Sequence, residues 1–574
     1  MNDIRRTILW VIFGFSMVLL WDQWQVFNGQ KATFFPAPTQ TGKSPATAAS
    51  ATAPVPITGI PAAAAPVSAV PGVSNVPASD AASVAPAAGG KKERLVVSND
   101  VLTLTFDTEG GSLVRSVFAR YADMNDTASG FALLDESSSR VYVAQSGLIG
   151  VAGSNLPTHK TLMTVLPGER TLKAGEKQLE VKFESPEVGG VKLVKTYTLQ
   201  RGAYDLTVCH EIINNGSAPV SPQLYLQLVR DGNKPPGESS FYSTFTGPAI
   251  YTEAKKYQKV EFSDIEKNKV DVEKQASNGY IAMVQHYFAS AWILADGIKR
   301  DLFMRKVDNN LYAAGMIAPL ESIAPGASKT IDAKFFVGPQ EEKVLEALAP
   351  GLELVKDYGW LTILAKPLYW LLDRLHGFIL NWGWAIVALV LLLKIAFYWL
   401  NAKAYASMAK MKAINPKIME MRERLKDKPQ EMQLAMMKIY KEEKVNPMGG
   451  CFPIMVQIPV FIALYWVLLS SVEMRNAPWI LWIKDLSSPD PYFILPVVMT
   501  LTTMLQTALN PAPPDPMQAK LMWFMPLIFS VMFFFFPAGL VLYWITNNVL
   551  SIAQQWMINT RMGVPPQFNL PKFK

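Results

Sequence analysis

The sequence has little of what enzymes and disulfide-rich secreted proteins use. Its only cysteines, Cys209 and Cys451, exclude a disulfide framework and predict two free thiols. Neither a Gly-x-Ser-x-Gly nor a His-Glu-x-x-His motif occurs, so an enzyme is disfavoured and no cofactor is expected. The four histidines are scattered without metal-ligand spacing, and they are His159, His210, His286 and His376.

Charged residues are also sparse, at 18% of the chain, whereas 50% of the 574 residues are hydrophobic. A chain of this length and apolarity does not fit one soluble domain. The net charge of +7 suggests nucleic-acid binding at first, but eleven Lys and Arg against six Asp and Glu fall in residues 401–445, between apolar segments. Membrane proteins keep such positive charge in cytoplasmic loops, so we predict a multi-spanning membrane protein without direct nucleic-acid contact.

The first 92 residues divide into an anchor and a linker. Arg5 and Arg6 precede an apolar run, and no small-residue cleavage site follows it, so residues 1–27 are predicted to be an uncleaved transmembrane anchor with a cytoplasmic N-terminus. Residues 28–92 are rich in Pro and Ala and poor in aromatic residues, which predicts a disordered linker.

Residues 93–345 have the pattern of β-strands. Stretches such as 101–106 and 191–199 alternate apolar and polar residues, and Gly- and Asn-rich turns separate them. No helical segments are interleaved, so the region is predicted to be a large antiparallel β-sandwich. Because it follows an anchor that leaves the cytoplasm, we expect it on the outer side of the membrane.

The remaining chain predicts a helical membrane domain. Residues 346–381 are predicted to form amphipathic helices in the membrane interface. Residues 382–560 form the core, and residues 561–574 are a short cytoplasmic tail. The apolar segments of the core are 382–400, 451–472, 492–509 and 521–558, of which the last is broken at 537–539. With the anchor this gives six transmembrane helices, five of them in the core, and both termini in the cytoplasm.

Lys394 is the most informative residue of the core, because it lies within an apolar segment where a lysine is costly. Two explanations stand open: its side chain snorkels to the headgroups, or it faces a hydrated cavity. Polar residues on other helices favour the cavity and are candidate groove residues: Gln457, Thr502, Gln506, Asn548 and Gln555.

Residues 401–445 are predicted to form a cytoplasmic helical hairpin. Its methionines suit an adaptable surface for docking other proteins, and they suit equally the hairpin's own seam. The candidate docking residues are Met408, Met411, Met421, Arg422, Arg424, Met432 and Met436.

Three segments of the helical region are distinctive: SMAKM at 407–411, MRERL at 421–425 and FPAGLVLY at 536–543. These segments resemble the YidC/Oxa/Alb family of membrane protein insertases in its Gram-negative bacterial form. The resemblance implies a periplasmic β-supersandwich similar to sugar-binding and mutarotase folds. It also implies a hydrophilic groove, open to the cytoplasm and the lipid, with its positive charge at Lys394 and an aromatic pair at Tyr543 and Trp544.

The resemblance implies a protein of the bacterial inner membrane that inserts and helps fold newly made membrane proteins, alone or with the Sec translocon. Its implied partners are nascent clients, the Sec translocon, membrane lipid, and ribosome or signal-recognition components, although the short tail argues against ribosome contact at that end. Two alternatives stay open from the residues. One is a transporter or channel that uses the same polar residues, and the other is a sugar-binding or mutarotase-like periplasmic protein.

Overall fold

The computed structural model describes residues 92–561 apart from 124–125, 127, 152–153, 236–243, 426–427, 444–451 and 511–515, together with residues 563 and 568. The expected anchor at 1–27, the linker up to residue 91, and most of the tail lie outside the described residues, as do parts of the hairpin at 426–427 and 444–445. The chain divides into two compact units, with the boundary between Lys356 and Asp357.

The first unit is built from β-strands. Its first ten are β1 (Arg94–Ser98), β2 (Leu102–Asp107), β3 (Ser112–Ala122), β4 (Gly130–Ala132), β5 (Asp135–Glu136), β6 (Val141–Ile149), β7 (Thr164–Val165), β8 (Gln178–Glu184), β9 (Val191–Gln200) and β10 (Asp205–Asn214). The others are β11 (Gln223–Asp231), β12 (Gly247–Thr252), β13 (Lys256–Lys259), β14 (Gln275–Ala276), β15 (Tyr280–Val284), β16 (Phe288–Leu294), β17 (Arg300–Asp308), β18 (Leu311–Pro319) and β19 (Ser328–Pro339). Two short helices accompany them, α1 (Phe262–Glu266) and α2 (Glu342–Leu348).

These strands form two antiparallel sheets. One has ten strands in the order β1-β2-β3-β6-β11-β18-β17-β14, with β4 beside β3 and β5 beside β6. The other has nine strands in the order β13-β12-β15-β16-β19-β10-β9-β8-β7. The large antiparallel β-sandwich predicted for this region is therefore confirmed.

Alternating burial explains why these segments become strands. In β9 and β10 buried residues alternate with partly exposed ones, because successive side chains of a strand point to opposite faces. The two sheets pack face to face through aromatic side chains. Phe118 of β3 in one sheet stacks on Phe288 of β16 in the other, with 4.9 Å between ring centroids.

The second unit is helical. Its helices are α3 (Thr362–Ile379), α4 (Trp382–Ala396), α5 (Tyr398–Arg424), α6 (Pro429–Glu442), α7 (Phe452–Ser470), α8 (Ile494–Leu509), α9 (Pro516–Phe533) and α10 (Ala538–Arg561). Short 3-10 turns of this unit occur at Gly359–Leu361 and at Val472–Met474, and another, at Leu352–Val355, belongs to the β unit. The apolar core joins α3, α4, α7, α8 and α10, through residues such as Tyr369, Leu372, Ile386, Leu389, Leu464, Val467, Met499 and Val541.

The break at 537–539 lies where one helix begins. α9 ends at Phe533 and α10 begins at Ala538, so the long apolar run is divided into two helices. Backbone hydrogen bonds fix this turn against the segment before α8. Ala538 N donates to Ser488 O at 2.8 Å, and Gly539 N donates to Leu486 O at 2.9 Å.

The segment expected as one helix at 382–400 is bent instead. α4 stops at Ala396, and α5 continues from Tyr398 at an angle of 68°. Neither a proline nor a glycine stands at the break, so the sequence carried no ordinary signal for it. Lys394 consequently lies in the last turn of α4 rather than inside one helix that continues to residue 400.

Length and hydropathy do not identify a complete span in any one of the described helices. The bent pair α4 and α5, taken over Trp382–Ala396 and Tyr398–Met411, does satisfy both criteria. Shorter apolar helical stretches occur at Val456–Ser470, Ile494–Leu509 and Lys520–Phe533. The expected count of six transmembrane helices therefore stays a prediction.

Candidate functional site

A pocket whose lining mixes polar and apolar side chains surrounds Lys394 in the helical unit. Its volume is about 230 Å³, and α4, α7 and α10 form its walls. The lining residues are Val390, Leu393, Lys394, Phe397, Gln457, Ile458, Val460, Phe461, Tyr543, Trp544 and Asn547. Four of the predicted groove residues, Lys394, Gln457, Tyr543 and Trp544, thus come together in one pocket.

The Lys394 ammonium is held by a hydroxyl rather than by a carboxylate. Its Nζ donates to Ser551 Oγ at 2.7 Å, and Ser551 Oγ donates in turn to Asn547 O at 2.7 Å. Within the described part of the chain, no acidic side chain pairs with this ammonium. The partial negative charge at the C-terminus of α4 favours the cation by about 0.3–1 kcal/mol. The hydrogen-bond partner of Lys394 therefore carries no charge that would neutralise the ammonium.

Next to this pocket, three amides connect three helices. Gln457 Nε2 of α7 donates to Asn401 Oδ1 of α5 at 3.0 Å, and Asn401 Nδ2 donates to Gln554 Oε1 of α10 at 3.3 Å. One turn further along α5, Tyr405 lies close to Ser551. Burial of these amides requires such pairing, because an unpaired buried amide is costly.

The sequence analysis missed Asn401, Tyr405 and Ser551 as members of this site. A signal for Ser551 existed, since Tyr543, Asn547, Ser551 and Gln554 recur at intervals of three or four along α10. No comparable signal marked Asn401 and Tyr405. They reach the site because the chain bends at Phe397, which a straight helix would not allow.

The other predicted groove residues lie outside the pocket lining. Asn548 Nδ2 donates to Thr502 Oγ1 at 3.3 Å and to Thr503 Oγ1 at 2.9 Å, which joins α10 to α8. Gln555 Nε2 donates to Asn510 Oδ1 at 3.2 Å, just beyond α8. Gln506 is half-buried on α8. These contacts are ordinary interhelical hydrogen bonds of the kind that stabilises a bundle.

A larger apolar cleft of about 730 Å³ adjoins the Lys394 pocket. Side chains of α7 and α9 flank it, including Tyr465 and Met525, and Met499 of α8 contributes to it. Phe461 and Trp544 line both the cleft and the pocket. Their rings meet edge to face, with 4.7 Å between centroids. One aromatic pair thus borders both the cavity that contains the lysine and the apolar cleft.

The hairpin of α5 and α6 uses part of its methionines internally. Ile414 and Ile418 form its buried centre, and Met411, Met421 and Met436 pack against them. These three predicted docking residues therefore belong to the seam. Of the remaining candidates, Met408, Arg422 and Met432 are half-buried and Arg424 is exposed.

The hairpin instead exposes apolar residues that the sequence analysis did not single out. Met419 of α5 is 49% exposed, and Leu434 and Met437 of α6 are 65% and 66% exposed. The periodicity of α6 could have identified Leu434 and Met437, because they lie three residues apart on one face.

Two of the histidines of the β unit, His159 and His210, are buried out of reach of a substrate, whereas His286 is half-buried. His210 is fully buried, with Nε2 2.9 Å from Ser146 Oγ, and His159 is buried against Tyr225. A surface cleft of about 650 Å³ is lined by Glu253, Asp296 and Asp332 among others, but by no histidine. Over the residues that the structure describes, no cluster of His, Cys, Asp and Glu is suited to hold a metal ion.

Comparisons with known proteins cover the whole chain. A family model described as the YidC periplasmic domain matches residues 94–371, and one described as 60Kd inner membrane protein matches residues 374–564. A Cupriavidus necator protein named membrane protein insertase YidC is 53% identical over 565 residues, which is 98% of each chain. A protein of the same name from Janthinobacterium is 50% identical over 577 residues, which is 98% of this chain and 100% of the relative.

A solved structure of an active YidC insertase is 19% identical, covers 81% of this chain and 92% of its own, and has a TM-score of 0.37. The sequence relatives are named as insertases rather than as enzymes. Their identity and coverage place the chain within one family, and both family models name the compartment. The chain belongs to the YidC family of membrane protein insertases, as an inner membrane protein with a periplasmic β-sandwich domain.

Proposed function

We propose that the helical unit inserts newly made membrane proteins by receiving a polar client segment at Lys394 and releasing the client's apolar helix through the apolar cleft. One observation carries the proposal: Phe461 and Trp544 line both the charged pocket and the cleft. A client that occupies both cavities has its polar and apolar parts side by side. The names of the relatives support the same activity.

Lys394 supplies the attraction for acidic clients. At about 4 Å, opposite charges interact by roughly 1 kcal/mol in bulk water and about 4 kcal/mol at an effective dielectric constant of 20. A partly hydrated pocket lies between these limits. Since Ser551 satisfies the ammonium without neutralising it, the attraction stays available for a client carboxylate.

The apolar cleft is the exit for the client's helix, and removal of that helix from water supplies the free energy of insertion. Its aromatic and methionine lining resembles the lipid tails more than water, so an apolar client helix loses little when it passes from the cleft into the bilayer. Removal of that helix from water drives insertion, at about 25 cal/mol per Å² of buried apolar surface. No nucleotide is required.

The other elements of the chain have the positions relative to the membrane that the sequence predicts. The described helices belong to a six-span topology whose anchor precedes them, with both termini in the cytoplasm. α3 lies in the membrane interface, since it buries Tyr369 and Leu372 and exposes Ile363, Trp370 and Phe378. The hairpin meets incoming clients in the cytoplasm. The Sec translocon and ribosome or signal-recognition components are partners in delivery.

The test varies the charge at Lys394 and the charge of the client. Paired clients differ only in whether their translocated tail is acidic or neutral, and insertion is measured at matched insertase levels. Lys394→Arg should retain activity. Lys394→Ala should lower insertion of the acidic client at least fivefold and spare the neutral one, and Lys394→Glu should be worse for the acidic client.

Lys403 provides the matched control. It is exposed on α5 and lies over the Trp399 ring, 3.6 Å from the centroid, outside the pocket. Lys403→Ala removes the same charge from the same region of the chain, and both clients should insert normally. Equal insertion of the acidic client by the Lys394, Ala and Glu versions would refute the proposed role of the charge.

A further inference from the structure

The hairpin contributes two polar side chains directly to the surroundings of the Lys394 pocket. Asn401, 4% exposed, lies at the start of α5 and bonds to Gln457 of α7 and to Gln554 of α10. Tyr405, one turn later, lies close to Ser551, and Ser551 accepts the hydrogen bond that the Lys394 ammonium donates. The base of the hairpin and the pocket therefore share one hydrogen-bonded network.

α5 is long enough to act as a lever on this network. It runs without interruption from Tyr398 to Arg424, and 27 residues at 1.5 Å each span roughly 40 Å. At its far part Ile414 and Ile418 fasten it to α6. The 68° bend at Phe397 separates it from α4. Rotation of the hairpin about that bend moves Asn401 and Tyr405 with it, whereas Lys394 stays on α4.

The bonding of Asn401 makes its position strongly dependent on the hairpin orientation. Its Oδ1 accepts a hydrogen bond from Gln457 of α7, and its Nδ2 donates one to Gln554 of α10. Because the two partners lie on different helices, any rotation of α5 stretches at least one of these hydrogen bonds. Stretching frees Gln457, which lines the pocket. Displacement of Tyr405 likewise removes a neighbour of Ser551, the residue that accepts the hydrogen bond of the Lys394 ammonium.

We propose that Asn401 and Tyr405 are positioning residues that couple the orientation of the cytoplasmic hairpin to the shape of the Lys394 pocket. The inference rests on the proposed function, because the pocket matters only if clients use it. With the hairpin docked, the network holds the pocket small. A client that displaces the hairpin breaks the Asn401 bonds and widens the pocket in the same movement.

The test measures the hairpin orientation directly. Spin labels are placed on cysteines at Leu391 of α4 and Met437 of α6, both exposed, in the full-length protein in lipid nanodiscs. Cys209 and Cys451 are first replaced by serine. Pulsed electron spin resonance then gives the distance distribution between the hairpin and the bundle, without any need for insertion to occur.

Asn401→Ala should broaden this distribution at least twofold, and Asn401→Gln should largely restore its width. Tyr405→Phe removes only a hydroxyl and should broaden it less, whereas Tyr398→Phe, at an exposed position of the same helix, should leave it unchanged. Asn548→Ala, which breaks an amide contact between α10 and α8, should also leave it unchanged. An unchanged distribution in both Asn401→Ala and Tyr405→Phe overturns the coupling.

The client supplies a second readout that a purely structural role would not move. An acidic-tailed client added to the wild type should broaden the distribution, and Lys394→Ala should abolish that response. An undiminished response in Lys394→Ala overturns the link to the pocket. Failure of the coupling is distinguishable from failure of the proposed function, because the latter is judged by insertion of paired clients and the former by the distance alone.

Discussion

The periplasmic β-sandwich should become more stable as the pH rises above neutrality, because it buries a lysine that none of the described carboxylates pairs with. Lys195 of β9 is fully buried, and its Nζ donates to Gly110 O at 2.6 Å and to Ser146 O at 2.7 Å. Burial lowers the pKa of Lys195 from 10.5 to about 7. The nearby His210 does not add charge, since burial lowers its pKa to about 3.

The sign follows from proton binding in the two states. Below pH 7 both states carry the proton, and the folded state bears the full cost of the buried cation, on the order of 5 kcal/mol at ~1.4 kcal/mol per pKa unit. Between the folded pKa of about 7 and the unfolded value of 10.5, the unfolded state binds more protons, so stability rises with pH. From pH 7 to about pH 8.5 the gain should be about 1 to 2 kcal/mol.

Urea unfolding of the β unit, residues 92–356, at several pH values measures this slope. The series ends near pH 8.5, because burial raises the pKa of Cys209 to about 11 and its thiol opposes the trend at higher pH. Lys195→Met should abolish the rise of stability with pH. It also leaves the Gly110 and Ser146 carbonyls without a donor, but that loss changes the stability equally at every pH. Lys192→Met, at a half-exposed lysine of the same strand paired with Glu184, should keep it. A flat profile in the wild type, or an equal slope in Lys195→Met, would refute the reasoning.

Three further predictions concern the β domain, the hairpin and the packing of the helical unit. Deleting residues 95–320 should leave insertion of simple clients largely intact, and complete loss at matched expression would contradict this. Deleting residues 405–440 should abolish insertion while protease protection shows a folded, external β domain; normal insertion would make the hairpin dispensable. Gly383→Val should lower the thermal stability of the helical unit by about 1–3 kcal/mol, because a β-carbon there collides with the Trp479 ring. Gly377→Val meets open space and is the control, so equal melting of both variants would argue against a packing cause.

Much of the architecture could be predicted from the sequence because buried residues recur with the period of the strand or helix that contains them. Strands such as β9 and β10 alternate strictly, and the two sheets follow from their apolar faces. The bend at Phe397 has no such sequence signal, since neither a proline nor a glycine stands at the break. For that reason the lysine could be identified from the sequence, whereas Asn401 and Tyr405, which the bend brings to it, could not.

The hairpin shows a second limit of sequence reasoning. A stripe of methionines predicts an apolar face, but not whether that face meets its own partner helix or another protein. Met411, Met421 and Met436 meet the seam, and Leu434 and Met437 remain outside. Which apolar side chains of a helix face inward depends on how the two helices pair. That pairing depends on contacts between residues that are distant in sequence.

The choice of partner for Lys394 decides whether the pocket can attract acidic clients at all. A carboxylate would satisfy the ammonium equally well but would neutralise the site, whereas the Ser551 hydroxyl satisfies it and leaves the charge. We therefore expect Ser551→Asp to reduce insertion of an acidic-tailed client as strongly as Lys394→Ala, although the lysine is retained, and to spare a neutral client. Ser551→Ala keeps the charge and should have a much smaller effect. If Ser551→Asp inserted the acidic client as well as the wild type does, the net charge of the pocket would have no part in recognition, and the hydroxyl would serve only to fix the side chain.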